Sequence, residues 1–270
     1  MENNAVVDSY ENYNEESRLT TDNARKVEFI TTVRVIDGLL PQNAKILDCA
    51  AGTGIYSFYL AERGYDMTAL DITPRHVELM KKELEGKPYA MDIALNDARY
   101  LGTFSDASFD AVLCMGPLYH LTEESERQQC LNECFRVLKK GGLLISAYIN
   151  RFFVISLITT NDFKYLEQDF IDNLVKTGTL KSDDPMCFWT DAYFDTPKTI
   201  ENTYNNLDIE IVDHVATDGM SIFLREKINK MNEKEFGAWC DYHYLTCREK
   251  SMMGISNHGL IVGKKNNCPV

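Results

Sequence analysis

The chain has 270 residues, 44% of them apolar, and a formal net charge of −13. That length suits one large α/β domain with a sizeable core. That charge argues against a nucleic-acid partner, which needs a basic face to neutralise phosphates. No apolar run approaches the ~20 residues of a membrane span, so no membrane partner is expected. The polar start, Met1-Glu2-Asn3-Asn4, carries no apolar leader. Eight scattered cysteines then read as free thiols in a reducing cytoplasm.

In chain order, residues 1–43 precede the core. Val27, Ile30, Val33 and Ile36 recur in steps of three and predict an amphipathic helix over 22–37. Upstream lies a cluster of tyrosines and charges, Tyr10 to Arg18. From 44 to 149 strands alternate with helices. Strands are predicted at Lys45–Cys49, Asp66–Leu70, Lys87–Ile93, Phe109–Met115 and Leu143–Ile149. Helices are predicted at Ile55–Arg63, from Thr73-Pro74 to Gly86, and from Thr122 to Lys139-Lys140, where the lysines oppose the helix dipole and Gly141-Gly142 stops it. Strands separated by helices imply right-handed crossovers and a parallel sheet. Residues 150–195 are rich in aromatics and acids without a clean period, and read as an insertion. A helix from Thr196-Pro197, a strand at Ile209–Val215, a largely helical stretch at Ser221–Glu249 and a short strand at His258–Gly263 complete the chain.

The chemistry concentrates at residues 46–54, Ile-Leu-Asp-Cys-Ala-Ala-Gly-Thr-Gly. An apolar strand enters a small-residue loop, and a helix starts directly after it. Ala50, Gly52 and Gly54 let a ligand approach the backbone, and the helix start offers free N–H groups. Asp71 ends the next apolar run, where an open α/β sheet sets a carboxylate against a ribose diol. Two details speak against a dinucleotide. Its third small residue is replaced by Ser57, and Asp48 would repel a pyrophosphate. The same acid would welcome a cation.

Asp48-x-Ala50-x-Gly52-x-Gly54 resembles the first motif of the class I S-adenosylmethionine-dependent methyltransferases, with Ala50 where that family usually has Gly. The resemblance extends over roughly residues 10–263. It implies a Rossmann-like seven-stranded, mostly parallel sheet with helices on both faces, an antiparallel last strand beside the fifth, and an inserted lid after strand five. The whole of 1–270 is then one methyltransferase domain. Residues 1–43 are an N-terminal helical cap, 44–149 the cofactor-binding core, 150–195 the lid, and 196–270 the completion of the sheet. The implied cofactor is S-adenosylmethionine, with Asp48 near its ammonium, Asp71 and Ile72 at the ribose, Asp97 and Ala98 at the adenine, and Met115 on the cleft. Residues 116–121, Gly-Pro-Leu-Tyr-His-Leu, resemble a run in a bacterial subgroup that acts on small molecules, and Asp191-Ala192-Tyr193-Phe194-x-x-Pro197 resembles that subgroup too. The run departs from the Asn/Asp-Pro-Pro-Tyr motif of enzymes that methylate exocyclic or amide nitrogens.

The expected reaction is methyl transfer to a small-molecule acceptor by single in-line displacement. RNA or protein acceptors, or a non-catalytic binder of the cofactor, are the alternatives. His120 is either a base for the acceptor or a histidine that shapes its loop. Tyr119 is either cleft wall or core. The acceptor wall is expected from Tyr13, Arg18, Trp189 and Tyr193, carried by the two segments outside the core. Cys240-x-x-His243-x-x-x-Cys247 has metal-like spacing but no paired knuckles, and no metal is expected. A homodimer is left open.

Overall fold

The computed structural model describes residues 4–13 and 15–267; Cys268 lies outside them. Its centre is a seven-stranded sheet in the order β3-β2-β1-β4-β5-β9-β8. The strands are β1 (Lys45–Asp48), β2 (Asp66–Asp71), β3 (Met91–Leu95), β4 (Phe109–Cys114), β5 (Leu138–Ile149), β8 (Ile209–Ala216) and β9 (His258–Lys265). The first five run parallel, and β9 lies antiparallel between β5 and β8. Two-residue strands β6 (Thr179–Leu180) and β7 (Ala192–Tyr193) pair separately.

Alternation along each strand divides the core in two. Ile46, Met67, Ala111 and Ile145 pack on one face with residues of α2 (Asn23–Leu39), α3 (Ile55–Ala61) and α4 (Pro74–Leu84). Leu47, Leu70, Val112 and Leu144 pack on the other with α5 (Glu124–Val137) and α8 (Pro197–Asn205). Burial on both faces explains why β1 and β2 read as continuous apolar runs. Edge strand β3 is only half covered. Its weak signal accounts for a start at Met91 in place of the expected Lys87.

Three other boundaries differ. Thr122 does not cap α5, whose N-cap is Glu123 without a side-chain bond; its hydroxyl instead accepts from Lys181 Nζ at 2.6 Å. Lys139 and Lys140 do not close that helix but lie on β5, where Lys139 pairs with Asp110 at 2.8 Å. Gly142 is needed within the strand, since a Cβ there would meet the Asp110 carbonyl at 2.8 Å. The stretch 221–249 is helical only in α9 (Arg225–Ile228) and α10 (Glu233–Thr246), and α11 (Lys250–Gly254) follows.

Residues 150–195 form α6 (Arg151–Asn161), α7 (Gln168–Thr177) and the β6–β7 pair around their own small core, with Val154, Tyr165, Phe170, Leu174 and Phe194 buried. The N-terminal segment begins with α1 (Asn4–Asn12). Arg75 on α4 donates to the Tyr13 carbonyl at 2.8 Å, and Thr190 of the insertion donates to the Ala5 carbonyl at 3.1 Å. The segment is thus strapped across the sheet from both sides.

Candidate active site

The sheet order reverses between β1 and β4, and a cavity opens above the carboxyl ends of β1, β2 and β4. Asp48, Ala50, Gly52, Asp71, Ile72, Asp97, Ala98 and Met115 line it. Tyr119 and His120 form part of the far wall, and Tyr10, Glu15 and Arg18 of the strap close over it.

Asp48 is 1% exposed. Its Oδ2 accepts from Ser57 Oγ at 2.7 Å, while its Oδ1 has no partner. Burial pushes its carboxyl up to about 7. Ser57 therefore stands where a third small residue was missing because it holds this acid. Asp71 accepts from the Gly52 amide at 2.7 Å and the Thr73 amide at 2.8 Å. Gly52 itself has φ +57°, and only the Glu15 side chain comes within 4 Å of a Cβ built on it. Gly54 does not line the cavity; φ is +89°, and a Cβ there would strike Phe58 at 2.9 Å, so its task is to start α3. Ala50 is matched across the cleft by Gly116, where a Cβ would meet that of Ala50 at 3.0 Å. The extra methyl of Ala50 is thus accommodated by the next loop.

Asp97 is held by Arg99, with Nη2 to Oδ2 at 2.6 Å and Nε to Oδ1 at 3.1 Å, and Arg99 also pairs with Glu126. Arg18 pairs with Glu15 at 2.7 Å and with Glu28 at 3.0 Å. Burial pulls its guanidinium down, but Glu28 and Glu15 outweigh that and hold it above its usual range. Glu28 continues to His258 at 3.3 Å, and His258 to Asp218 at 2.8 Å. Four thiols, Cys49, Cys114, Cys130 and Cys134, are buried beneath the loop, with Sγ atoms 3.8 Å (Cys49–Cys134) and 3.9 Å (Cys114–Cys130) apart. Cys240, His243 and Cys247 do not converge; His243 Nε2 bonds the Ala216 carbonyl at 3.0 Å.

His120 is 8% exposed. Its Nδ1 faces the Asp191 carbonyl at 3.2 Å, and its Nε2 faces Tyr10 Oη at 2.9 Å. A carbonyl only accepts, so Nδ1 carries the proton and Nε2 receives the Tyr10 hydroxyl. Burial pulls the imidazole down to about 4. Tyr119 donates to the Met115 carbonyl at 2.9 Å, and burial raises its phenol above the usual value.

Of the four residues expected on the acceptor wall, Arg18 lines the cavity and three do not. Tyr13 is 41% exposed just past the end of α1. Trp189 packs on the outside of His120, with ring centroids 4.8 Å apart. Tyr193, on β7, lies under Arg127, whose Cζ is 3.5 Å from the ring centre. Tyr10, from the tyrosine and charge cluster of the N-terminal segment, lines the cavity as a lid residue would; Glu15, Tyr56, His76 and Arg99 line it without having been assigned a role in it from the sequence. Only Arg99, two residues beyond Asp97, carried a local sign.

Residues 47–146 match the family model described as methyltransferase domain. That stretch is a methyltransferase domain. The fold agrees over much more of the chain. A SAM-dependent methyltransferase from Methanosarcina mazei aligns over 86% of this chain and 97% of its own, at 21% identity and a TM-score of 0.59. Magnesium protoporphyrin IX methyltransferase from Synechocystis, solved with bound S-adenosylhomocysteine, aligns over 94% and 89%, at 15% identity and a TM-score of 0.57. In sequence, the glycine/sarcosine N-methyltransferase of Parasynechococcus marenigrum is 33% identical over 39% of this chain and 38% of its own. The ubiquinone biosynthesis O-methyltransferase of Methylocella silvestris is 31% identical over 44% and 43%. The match thus spans well under half the length of these relatives. The cofactor of such a domain is S-adenosylmethionine, and the cavity fits it. Asp48 Oδ1 is a buried acceptor without a partner, suited to an ammonium, and carboxylates outnumber guanidinium groups on the wall.

Proposed function

We propose that the chain is a cytoplasmic methyltransferase that moves a methyl group from S-adenosylmethionine to a small-molecule acceptor. One observation carries this reading: the cofactor acids Asp48 and Asp71 share a single cavity with Tyr10, Tyr119 and His120, under a strap. The acceptors named for one relative, glycine and sarcosine, are small as well. Seven free cysteines among the described residues fit a reducing compartment. Among these residues, no helix is long and apolar enough to cross a membrane. The assembly is open to a homodimer, for which analytical ultracentrifugation is the measurement.

When bound, the cofactor supplies a sulfonium methyl open to in-line displacement. Asp48 Oδ1 holds its ammonium, Asp71 its ribose hydroxyls, and Asp97 with the Ala98 backbone its adenine. Arg18 meets a carboxylate of either ligand. Tyr10 has given its proton to the bond with His120, so its oxygen offers lone pairs to the cavity. The imidazole, pulled down to about 4, stays neutral and fixes the Tyr10 hydroxyl, whose oxygen accepts from the acceptor and orients it. In-line placement by the walls remains the main contribution, because a dedicated base is not obligatory for attack on a sulfonium.

The test is incubation with methyl-labelled cofactor and a metabolite extract. Label is expected in small molecules. Label in protein or RNA would overturn the acceptor class, and an absence of both transfer and S-adenosylhomocysteine binding would overturn the whole reading.

A further inference from the structure

Asp71 is held by three donors, and one of them is a side chain. The Gly52 and Thr73 amides are fixed by the backbone. The third is His76 Nδ1, 3.2 Å from Asp71 Oδ1. His76 is the third residue of α4 and only 2% exposed, yet it lines the cavity. The Tyr10 ring stands edge-on to it, with centroids 5.5 Å apart. Its other nitrogen, Nε2, is buried without a partner. A histidine that merely filled the core would have both nitrogens satisfied, since buried polar atoms almost always are. Among the described residues, the ring's one hydrogen bond is to Asp71.

We propose that His76 is a positioning residue of the cofactor site. Asp71 accepts through Oδ1, so Nδ1 is the protonated nitrogen. The last torsion of an aspartate is broad and would let the carboxylate plane swing. The Gly52 amide on Oδ2 and the Thr73 amide on Oδ1 set the plane, and His76, the second donor on Oδ1, holds that oxygen in it and directs the cofactor to Oδ2. Three donors leave one acceptor direction free, on Oδ2, and it meets the ribose diol. This rests on the cofactor reading above.

The experiment is calorimetry on wild type, His76→Asn, His76→Gln and His76→Leu. The probes are S-adenosylhomocysteine and its analogue lacking both ribose hydroxyls. Asn sets an amide nitrogen near the position of Nδ1, and Gln sets one near Nε2. His76→Leu and His76→Gln should weaken S-adenosylhomocysteine about five- to twentyfold, and His76→Asn by no more than about twofold. All four proteins should bind the dideoxy analogue within about twofold of one another, because the orientation of Asp71 no longer matters to it. Equal weakening toward both ligands would make His76 an ordinary packing residue. Retention by Gln with loss by Asn would mean that Nε2 touches the ligand directly. Either result overturns the positioning role. Failure of wild type to bind S-adenosylhomocysteine at all would instead overturn the cofactor reading, and this inference with it.

Discussion

The two walls of the cavity are built in different ways. The cofactor wall stands on the ends of β1, β2 and β4, which are bonded to one another along a buried sheet. The opposite wall is a strap, residues 4–13 and 15–22, held by side chains: Arg75, Thr190 and His120 reach it from three distant parts of the chain, and Glu28 from the helix that follows it. A site on strand ends is rigid before any ligand arrives. A site on a strap is only as firm as a few hydrogen bonds, and low local stability is where lids are found.

That contrast is broken most strongly by cutting the strap. Deleting residues 1–20 removes Tyr10, Glu15 and Arg18 but no strand. Once an acceptor is known, methyl transfer should fall by about a hundredfold or more while S-adenosylhomocysteine affinity falls only modestly. Normal transfer by the truncated protein would take the strap out of the site. Next in size is Asp71→Ala. A charge-assisted bond to the ribose is lost and the Gly52 and Thr73 amides lose their acceptor, so affinity should weaken about ten- to a hundredfold by calorimetry, with circular dichroism separating this from unfolding.

Acidity gives a third handle on the rigid wall. With Asp48 at about 7 in the ligand-free protein, its carboxyl must lose a proton before it can hold an ammonium. S-adenosylhomocysteine affinity should therefore weaken up to about tenfold per unit as pH falls below 7. The ligand-free protein should behave oppositely. The folded state keeps a proton that the unfolded chain releases near 4, so this group makes stability fall as pH rises from about 4 to 7. Asp48→Asn should flatten both slopes. The smallest effect sharpens the picture of the strap. Tyr10→Phe loses one buried bond to a neutral imidazole, worth about 1 kcal/mol, or a drop of about 2–4 °C in melting temperature.

The same contrast decides what the sequence could reveal. β1 and β2 are buried on both faces, so their apolar runs are visible, and each ends on an acid that the loop geometry makes meaningful. The antiparallel last strand came from the family resemblance; the element order after residue 196 only agreed with it. The strap was different. The bond between Tyr10 and His120 joins residues 110 apart, and the chain from Arg18 through Glu28 to His258 joins three separate segments. No local period records such pairings. Aromatic richness pointed to Tyr13, Trp189 and Tyr193, but composition does not say which way a ring turns. Tyr10, in the same cluster, faces the cavity because it lies on α1, whereas Tyr13 lies just past its end.

The strap has one more consequence, for the order of events. Glu15 rests against Gly52, and Tyr10 stands beside His76 and His120, so one segment touches the seats of both ligands. On the proposed reading, spent cofactor cannot depart while that segment is down, and a fresh one cannot arrive. Exchange then requires the tether to Arg75 and the Tyr10 hydroxyl bond to let go together. The turnover clock of such an enzyme is set by unlatching, and its two ligands come and go in sequence.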